Sequence, residues 1–157
     1  NQFYDSKFDI AKLSNIKNDA IKSILSAKLL EAQNRGISIS VEIEEPVSNF
    51  RIELLDFITV LSVLCDNAIE ATIEAISPRM TVAFMNNDDS LVLIVENSIK
   101  SEKVDVSHIF ARGYSSKGEG RGLGLHNVNS ILEKYPKSTI TTRSANHLFS
   151  QTIRFCK

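Results

Sequence analysis

The first forty residues carry apolar side chains three and four apart. Leu13, Ile16, Ala20, Ile24 and Ala27 form one stripe, and Leu25, Leu29 and Ala32 widen it. That period predicts a helix over 10–35, closed by Gly36. A helix with two apolar edges needs more than one neighbour, either the rest of its own domain or a partner helix. The period then changes to two. Ile37, Ile39, Val41 and Ile43 alternate with Ser38, Ser40 and Glu42, the pattern of a half-buried strand, and Pro46 ends it. Ser48 or Asn49 can cap a second, long helix running to about residue 76, where Ser77-Pro78 stops it.

On a wheel of that second helix, Leu54, Phe57, Leu61, Leu64, Cys65, Ala68 and Thr72 make one stripe. Asp56, Asn67, Glu70 and Glu74 lie opposite or to one side, and Val60 and Val63 share the side of Asn67. A polar face with an apolar patch suits the wall of a ligand pocket, and equally a solvated flank. Residues 80–85 and 91–96, separated by Asn86-Asn87-Asp88-Asp89-Ser90, read as a hairpin. Residues 97–121 are mostly irregular, 122–135 read as a helix ended by Pro136, and 138–143 with 148–155 form a closing hairpin around 144–147. Two hairpins and a lone strand give a mixed, mostly antiparallel sheet with helices on one face, an α/β two-layer sandwich.

Composition narrows the class without changing this picture. The chain has 157 residues, enough for one domain with a real core, and its 43% apolar and 24% charged residues describe a folded globular chain. A formal net charge of −1 gives no general drive toward nucleic acid. Cys65 and Cys156 stand far apart in apolar runs, fit no zinc or Cys-x-x-Cys spacing, and read as reduced core residues. No apolar run reaches the ~20 residues of a membrane span. The first residue is Asn1 rather than Met, which points to a piece of a longer protein.

Chemistry concentrates in one segment, Gly113-Tyr114-Ser115-Ser116-Lys117-Gly118-Glu119-Gly120-Arg121-Gly122-Leu123-Gly124-Leu125. Glycine stands at every second position from Gly118 to Gly124, with Lys117 and Arg121 interleaved, and the run leads straight into a helix. Backbone amides that can approach an anion, a helix N-terminus and two cations are what a phosphate cradle needs. It is not a P-loop, because Glu119 stands where Lys is required after Gly118. Nor is it a dinucleotide fingerprint, because Leu123, Leu125 or Asn127 occupies the place of the third glycine. A second element, Asp66-Asn67-Ala68-Ile69-Glu70-Ala71, offers an amide oxygen at Asn67 of the kind that ligates Mg²⁺.

Asn67 on the long helix, Val95-Glu96-Asn97-Ser98 at a strand end, Phe110-x-x-Gly113-Tyr114-Ser115-Ser116-Lys117-Gly118, and Gly120-x-Gly122-Leu123-Gly124-Leu125 together resemble the ATP-binding (GHKL-type) domain of sensor histidine kinases. The wording of the two strong motifs is most similar to the peptide-pheromone quorum-sensing kinases of Gram-positive bacteria, and the resemblance runs over 21–157. It implies the Bergerat, or histidine-kinase ATPase, fold with ATP held under a mobile lid. By the same resemblance the nucleotide-binding set is Asn67, Asn97, Lys117, Gly118, Gly120, Arg121, Gly122, Leu123, Gly124 and Leu125, with Asn67 as the Mg²⁺ ligand. Phe110 and Ser116 match the lid with Lys117. ATP and Mg²⁺ are the implied cofactors. A histidine-bearing dimerisation domain of the same kinase, dimeric in the parent, and a response regulator are the implied partners. Residues 1–36 become the end of the dimerisation helix and its connector, and 37–157 the catalytic domain. The setting becomes the cytoplasmic part of a bacterial membrane-bound receptor whose sensor lies upstream.

Two departures from the family pattern stand out. Asn97 occupies the place of the Asp that accepts from the adenine amino group, and the glycines that usually follow are absent. An amide oxygen can accept the same bond. Val63, one turn before Asn67, stands where gyrase-type ATPases carry a water-activating Glu, and valine cannot act as a base. That favours phosphoryl transfer to a histidine, already a nucleophile when neutral, over hydrolysis. None of His108, His126 and His147 lies on the N-terminal helix, so the acceptor histidine is expected outside this chain, and no residue here is assigned a catalytic role. His126 reads as a helix-surface residue, His108 and His147 as loop residues, and Glu70 and Glu74 as solvated. The alternatives are a nucleotide-binding switch module without phosphotransfer, and a serine kinase of the anti-sigma type.

Overall fold

A computed structural model describes residues 10–107 and 123–156. The N-terminal apolar stripe does not make one helix. A 3-10 helix, Ile10–Asn15, comes first, and α1 follows as Asp19–Asn34. The break has a local cause. The Asn15 side chain donates to the carbonyls of Ile43 and Glu44 at 2.7 and 3.2 Å, Ile16 bridges Val47, and Asn18 caps α1 by accepting from the Ile21 amide at 3.0 Å. Asn15 and Ile16 are thus committed to partners outside a helix, and Asn18 starts a new one.

The other end of α1 closes on glycine as the sequence predicts. Gly36 has φ +83°, the Ile37 amide bonds to Ala32 O and the Gly36 amide to Gln33 O, the Schellman pattern. The buried face of α1 is Ile21, Leu25, Leu29 and Ala32, in the same core as the sheet.

The first strand, β1, is Ser38–Ile43. The second helix, α2, is Leu54–Thr72, shorter than expected at both ends. Neither Ser48 nor Asn49 caps it. The Asn49 side chain instead accepts from the Arg51 amide at 2.9 Å, in a loop where Arg51 adopts φ +75°. At the far end, the Thr72 hydroxyl leaves the helix pattern and accepts from the Arg79 amide at 3.0 Å. Leu54, in the first turn, is exposed, while Val60 and Ile69 are fully buried, so the core face of α2 is rotated toward them relative to the expected stripe.

Then come β2 (Arg79–Asn86), β3 (Ser90–Ser98), α3 (Leu123–Leu132), β4 (Ser138–Ala145) and β5 (Leu148–Cys156). The two hairpins fall where the sequence places them. Asn87 closes the first by accepting from the amides of Asp89 and Ser90, both at 2.9 Å. Asn146 and His147, with φ of 55° and 63°, close the second as a two-residue primed turn. The sheet order is β1-β2-β3-β5-β4, with β1 parallel to β2 and every other pair antiparallel. A parallel pair needs a crossover, and α2 provides it.

The core lies between the helices and one face of the sheet. Leu91, Leu93 and Val95 of β3 meet Phe57, Leu61 and Leu64 of α2 in that layer. Phe57 is at its centre, with ring centroids 4.9 Å from Phe50, 6.2 Å from Phe84 and 5.4 Å from Phe155. Among the described residues no helix is long and apolar enough to cross a membrane. Both cysteines are free. Cys65 is buried and Cys156 is partly exposed.

Candidate functional site

Two helices and one strand end carry the described site residues. Asn67 sits on α2, half-buried, beside the core stripe. One turn earlier, Val63 is partly buried and packs on the core. It also meets α3. A Cβ built on Gly124 would lie 3.1 Å from Val63 Cγ1, so the absence of a side chain at Gly124 lets the start of α3 press against α2 one turn from Asn67. Leu125, Val128 and Leu132 fix α3 in that position by entering the core, and Leu125 is only 7% exposed. The expected set therefore divides. Val63 and Gly124 meet on the α2–α3 seam, Asn67 lies one turn along α2 from it, Leu125 lies in the core, and Leu123 opens the helix. Lys117, Gly118, Gly120, Arg121 and Gly122 lie outside the described residues, as do Phe110, Ser116 and His108.

Asn97 ends β3. In register it stands between Met80 of β2 and Phe149 of β5, so its amide is buried beside apolar neighbours at 2% exposure. Its Nδ2 donates to the carbonyl of Ser98 at 3.0 Å. Ser98 is itself held in a polar knot. Its hydroxyl donates to Ser77 O at 2.9 Å, meets the Thr72 hydroxyl at 2.7 Å and receives the Arg79 amide at 3.1 Å. The knot joins the last residue of α2, the first of β2 and the last of β3.

Past β3 the chain runs along the β4–β5 turn. Ile99 N donates to His147 O at 2.9 Å, His147 N to Glu102 O at 2.8 Å, and Val104 N to Ser144 Oγ at 2.8 Å. These bonds hold the stretch that follows Asn97 against the turn, and the Ile99 side chain there is buried.

Two polar clasps escape sequence reading. Tyr135, after α3, donates to Asp56 of α2 at 2.5 Å, and its oxygen accepts from the Glu53 amide at 3.3 Å. Lys134 adds an ion pair to Asp56 at 3.0 Å. The Tyr135 hydroxyl and Lys134 hold the Asp56 carboxyl below its ordinary value, and the same bonds raise Tyr135 and Lys134. The second clasp joins α1 to α2, with Lys28 Nζ 2.7 Å from Asp66, the neighbour of Asn67. Burial pulls the Lys28 pKa down, but the hydrogen bond and charge of Asp66 outweigh it, and the net shift is upward. Aromatic and acidic residues on separate elements leave no local signature that would have paired them.

Cys65 touches no chemistry. Burial first, and the Asp66 charge second, push its thiol up to about 12. Among the described residues no three His, Cys, Asp or Glu side chains gather as a metal cluster. A cation held here would depend on Asn67, water and the ligand's own oxygens. That fits Mg²⁺, which binds through few protein ligands and keeps its waters.

A family profile described as the GHKL domain matches residues 52–156. Sensor protein CitS of Bacillus subtilis (strain 168) is 29% identical over 125 residues, covering 76% of this chain and 23% of CitS. Sensor histidine kinase DcuS of Escherichia coli (strain K12) is 30% identical over 144 residues, 88% of this chain and 26% of DcuS. The chain thus spans about a quarter of the length of these curated relatives. Among solved structures, the catalytic domain of histidine kinase ThkA superposes with TM-score 0.72 at 20% identity, over 90% of this chain and 92% of that one. The mycobacterial sensor histidine kinase MprB gives 0.68 at 16% identity, over 87% and 95%. At those identities the structures speak for the fold, and the fold agrees with the mixed five-stranded sheet expected from the sequence. The profile match over 52–156 places this chain in the GHKL family, on the fold of histidine kinase catalytic domains.

Proposed function

We propose that this chain binds Mg-ATP and transfers the γ-phosphoryl group to a histidine on a dimerisation domain outside it. The supporting observation is the α2–α3 seam, where Gly124 meets Val63 one turn from Asn67. Mg²⁺, when bound, supplies charge neutralisation between the phosphate groups. Asn67 would hold it through its amide oxygen. The amides opening α3 would face the phosphates, and Lys117, Gly118, Gly120, Arg121 and Gly122 would complete the cradle. Val63 puts an apolar side chain where a base would stand, so water is not activated there. In the transfer, the unprotonated nitrogen of a neutral imidazole forms the N–P bond, ADP leaves with the electron pair of the broken O–P bond, and the ring's other N–H loses its proton to solvent.

In the finer reading, residues 1–36 are the end of the dimerisation helix and its connector, with the part from Ile10 docked on the catalytic core. A response regulator receives the phosphoryl group next. The parent is a membrane-bound bacterial receptor kinase with this domain in the cytoplasm, and the motif wording supports a peptide-pheromone quorum-sensing receptor.

Calorimetric titration with a non-hydrolysable ATP analogue, with and without Mg²⁺, tests binding, and incubation with ATP and a supplied dimerisation domain tests transfer. Asn67→Ala is expected to abolish magnesium-dependent binding while the chain stays folded, because Asn67 is off the core. Normal binding by that variant would overturn the site. Binding without transfer would convert the reading to a nucleotide switch.

A further inference from the structure

The sheet ends in two edges of different chemistry. The β1 edge is shut at its end, where Asn15 donates to the carbonyls of Ile43 and Glu44, Ile16 bridges Val47, and Pro46 stops the strand. The β4 edge carries none of these protections. It pairs with β5 in unbroken register over Ser138–Ala145, so it has no bulge, and it contains no proline. Among the described residues no backbone bond reaches outward from it between Thr139 and Arg143. Its side chains alternate. Ser138, Ile140, Thr142 and Ser144 are half-buried, and Thr139, Thr141, Arg143 and Ala145 are exposed on the opposite face. Ile140 packs on the rim of the core, with no strand beyond it.

The charge at this edge is one-sided. The whole chain is near neutral, yet from Lys134 to Lys157 it holds no Asp or Glu, while Lys134, Lys137, Arg143, Arg154 and Lys157 are cations. Lys134 is taken by Asp56, and Arg154 lies one strand in, donating to Ser90 Oγ at 2.9 Å. Lys137 and Arg143 flank the free edge, and among the described residues neither has an ion pair. Glu96 shares the row of Arg143 but stands two strands away, beyond Ser150. Glu102, near the β4–β5 turn, accepts from the Asn146 amide.

We infer that β4 is a docking edge for an acidic extended segment of a partner protein, which adds to the sheet as a sixth strand. Main-chain bonds supply the affinity, and alternate side chains supply the selection. A β-branched residue on one face of the segment covers Ile140, and carboxylates on its other face meet Arg143, with Lys137 at the end of the seam. A second copy of this chain fits poorly. Two β4 strands side by side would set both copies of Lys137 and Arg143 along one seam with no acid between them. The edge does not depend on the nucleotide reading.

The probe is a peptide as long as β4 that alternates Glu with Val, titrated into the whole chain by calorimetry, with amide hydrogen exchange as the second readout. Binding is expected, with slowed exchange of outward amides between Thr139 and Arg143. Lys in place of Glu in the peptide should abolish it. N-methylating every second peptide amide should weaken it by about tenfold or more in the frame that faces β4. Arg143→Glu, a change at an exposed side chain, should weaken it by about as much, and Lys137→Glu serves if that variant does not fold. Equal binding of both N-methylated frames, or binding without slowed exchange in β4, is adhesion by charge alone and overturns the docking edge. Absence of binding at millimolar peptide overturns it as well. Self-association that slows the same amides would assign the edge to a second copy. Tighter binding of phosphatidylserine vesicles, lost in Arg143→Glu, would assign the cations to a membrane surface. Either result overturns the acidic partner.

Discussion

Replacing Gly124 with alanine separates two opposing effects whose sizes can be worked from the structure. Alanine in place of glycine inside a helix is favourable by up to about 1 kcal/mol, because glycine loses more backbone freedom on folding. Against that, the new Cβ would sit 3.1 Å from Val63 Cγ1, several tenths of an ångström inside comfortable contact. Val63 is β-branched and helical, so it has essentially one rotamer and cannot swing away. The strain must therefore be relieved by moving α3 off α2, and overpacking of this kind costs ~1–3 kcal/mol. Gly124→Ala alone should destabilise the chain by roughly 0–2 kcal/mol. In a Val63→Ala background the obstacle is gone. Among the described residues the two Val63 methyls are the only atoms near the added Cβ. There the same substitution should stabilise, by up to about 1 kcal/mol. Urea unfolding of the four proteins in this double-mutant cycle gives the coupling energy directly. A coupling below about 0.5 kcal/mol, or the same sign in both backgrounds, would refute the claim that this contact sets the spacing of the two helices.

Three other measurements follow from local features. Tyr135→Phe removes the bond to Asp56 and should cost ~1–2 kcal/mol in urea unfolding. The Asp56 carboxyl is depressed in the folded chain, so its contribution is complete above its unfolded value of about 4 and lost as pH falls through the folded value. The acid side of the stability profile should therefore flatten in this variant. Tyr135 and Lys134 are raised, so their share is complete below about pH 10 and lost as pH rises through their folded values. Gly36→Ala meets no atom within 4 Å but forces a side chain onto φ +83°, and should lower stability by about 1 kcal/mol by thermal or urea unfolding. Thiol labelling of the native chain at neutral pH should count one fast cysteine, Cys156. Cys65, buried and with its thiol pushed up to about 12, should react only on unfolding.

Local chemistry made the fold legible. Alternation marked β1, the turn residues Asn87 and Asn146 marked the hairpins, and Gly36 marked the end of α1, because each of these signals acts within a few residues of itself. The errors came where a side chain chose a distant partner over its helix. Asn15 bonds to the end of β1, Asn49 to its own loop, and the Thr72 hydroxyl to the start of β2. No helical period announces such choices. The site divides in the same way. Asn67, Asn97 and Gly124 belong to short motifs and could be named in advance. The Asp56–Tyr135 and Lys28–Asp66 clasps and the bonds of Ser98 join residues 19 to 79 positions apart and exist only in the folded chain. Leu125 shows a further limit. A motif marks a backbone position, and at Leu125 the side chain has entered the core.

The strand order bears on how the chain assembles. β3 and β5 are neighbours at the heart of the sheet, yet about fifty residues separate them, among them the glycine-rich segment and α3. The β2–β3 and β4–β5 hairpins close over turns of a few residues and can form early, whereas the zip between them must bring together the two halves of the chain. Entropy of closure grows only with the logarithm of loop length, so doubling that intervening stretch would cost about 0.6 kcal/mol. The sheet can therefore tolerate large changes in the length of what it spans, and refolding should be timed by the β3–β5 encounter.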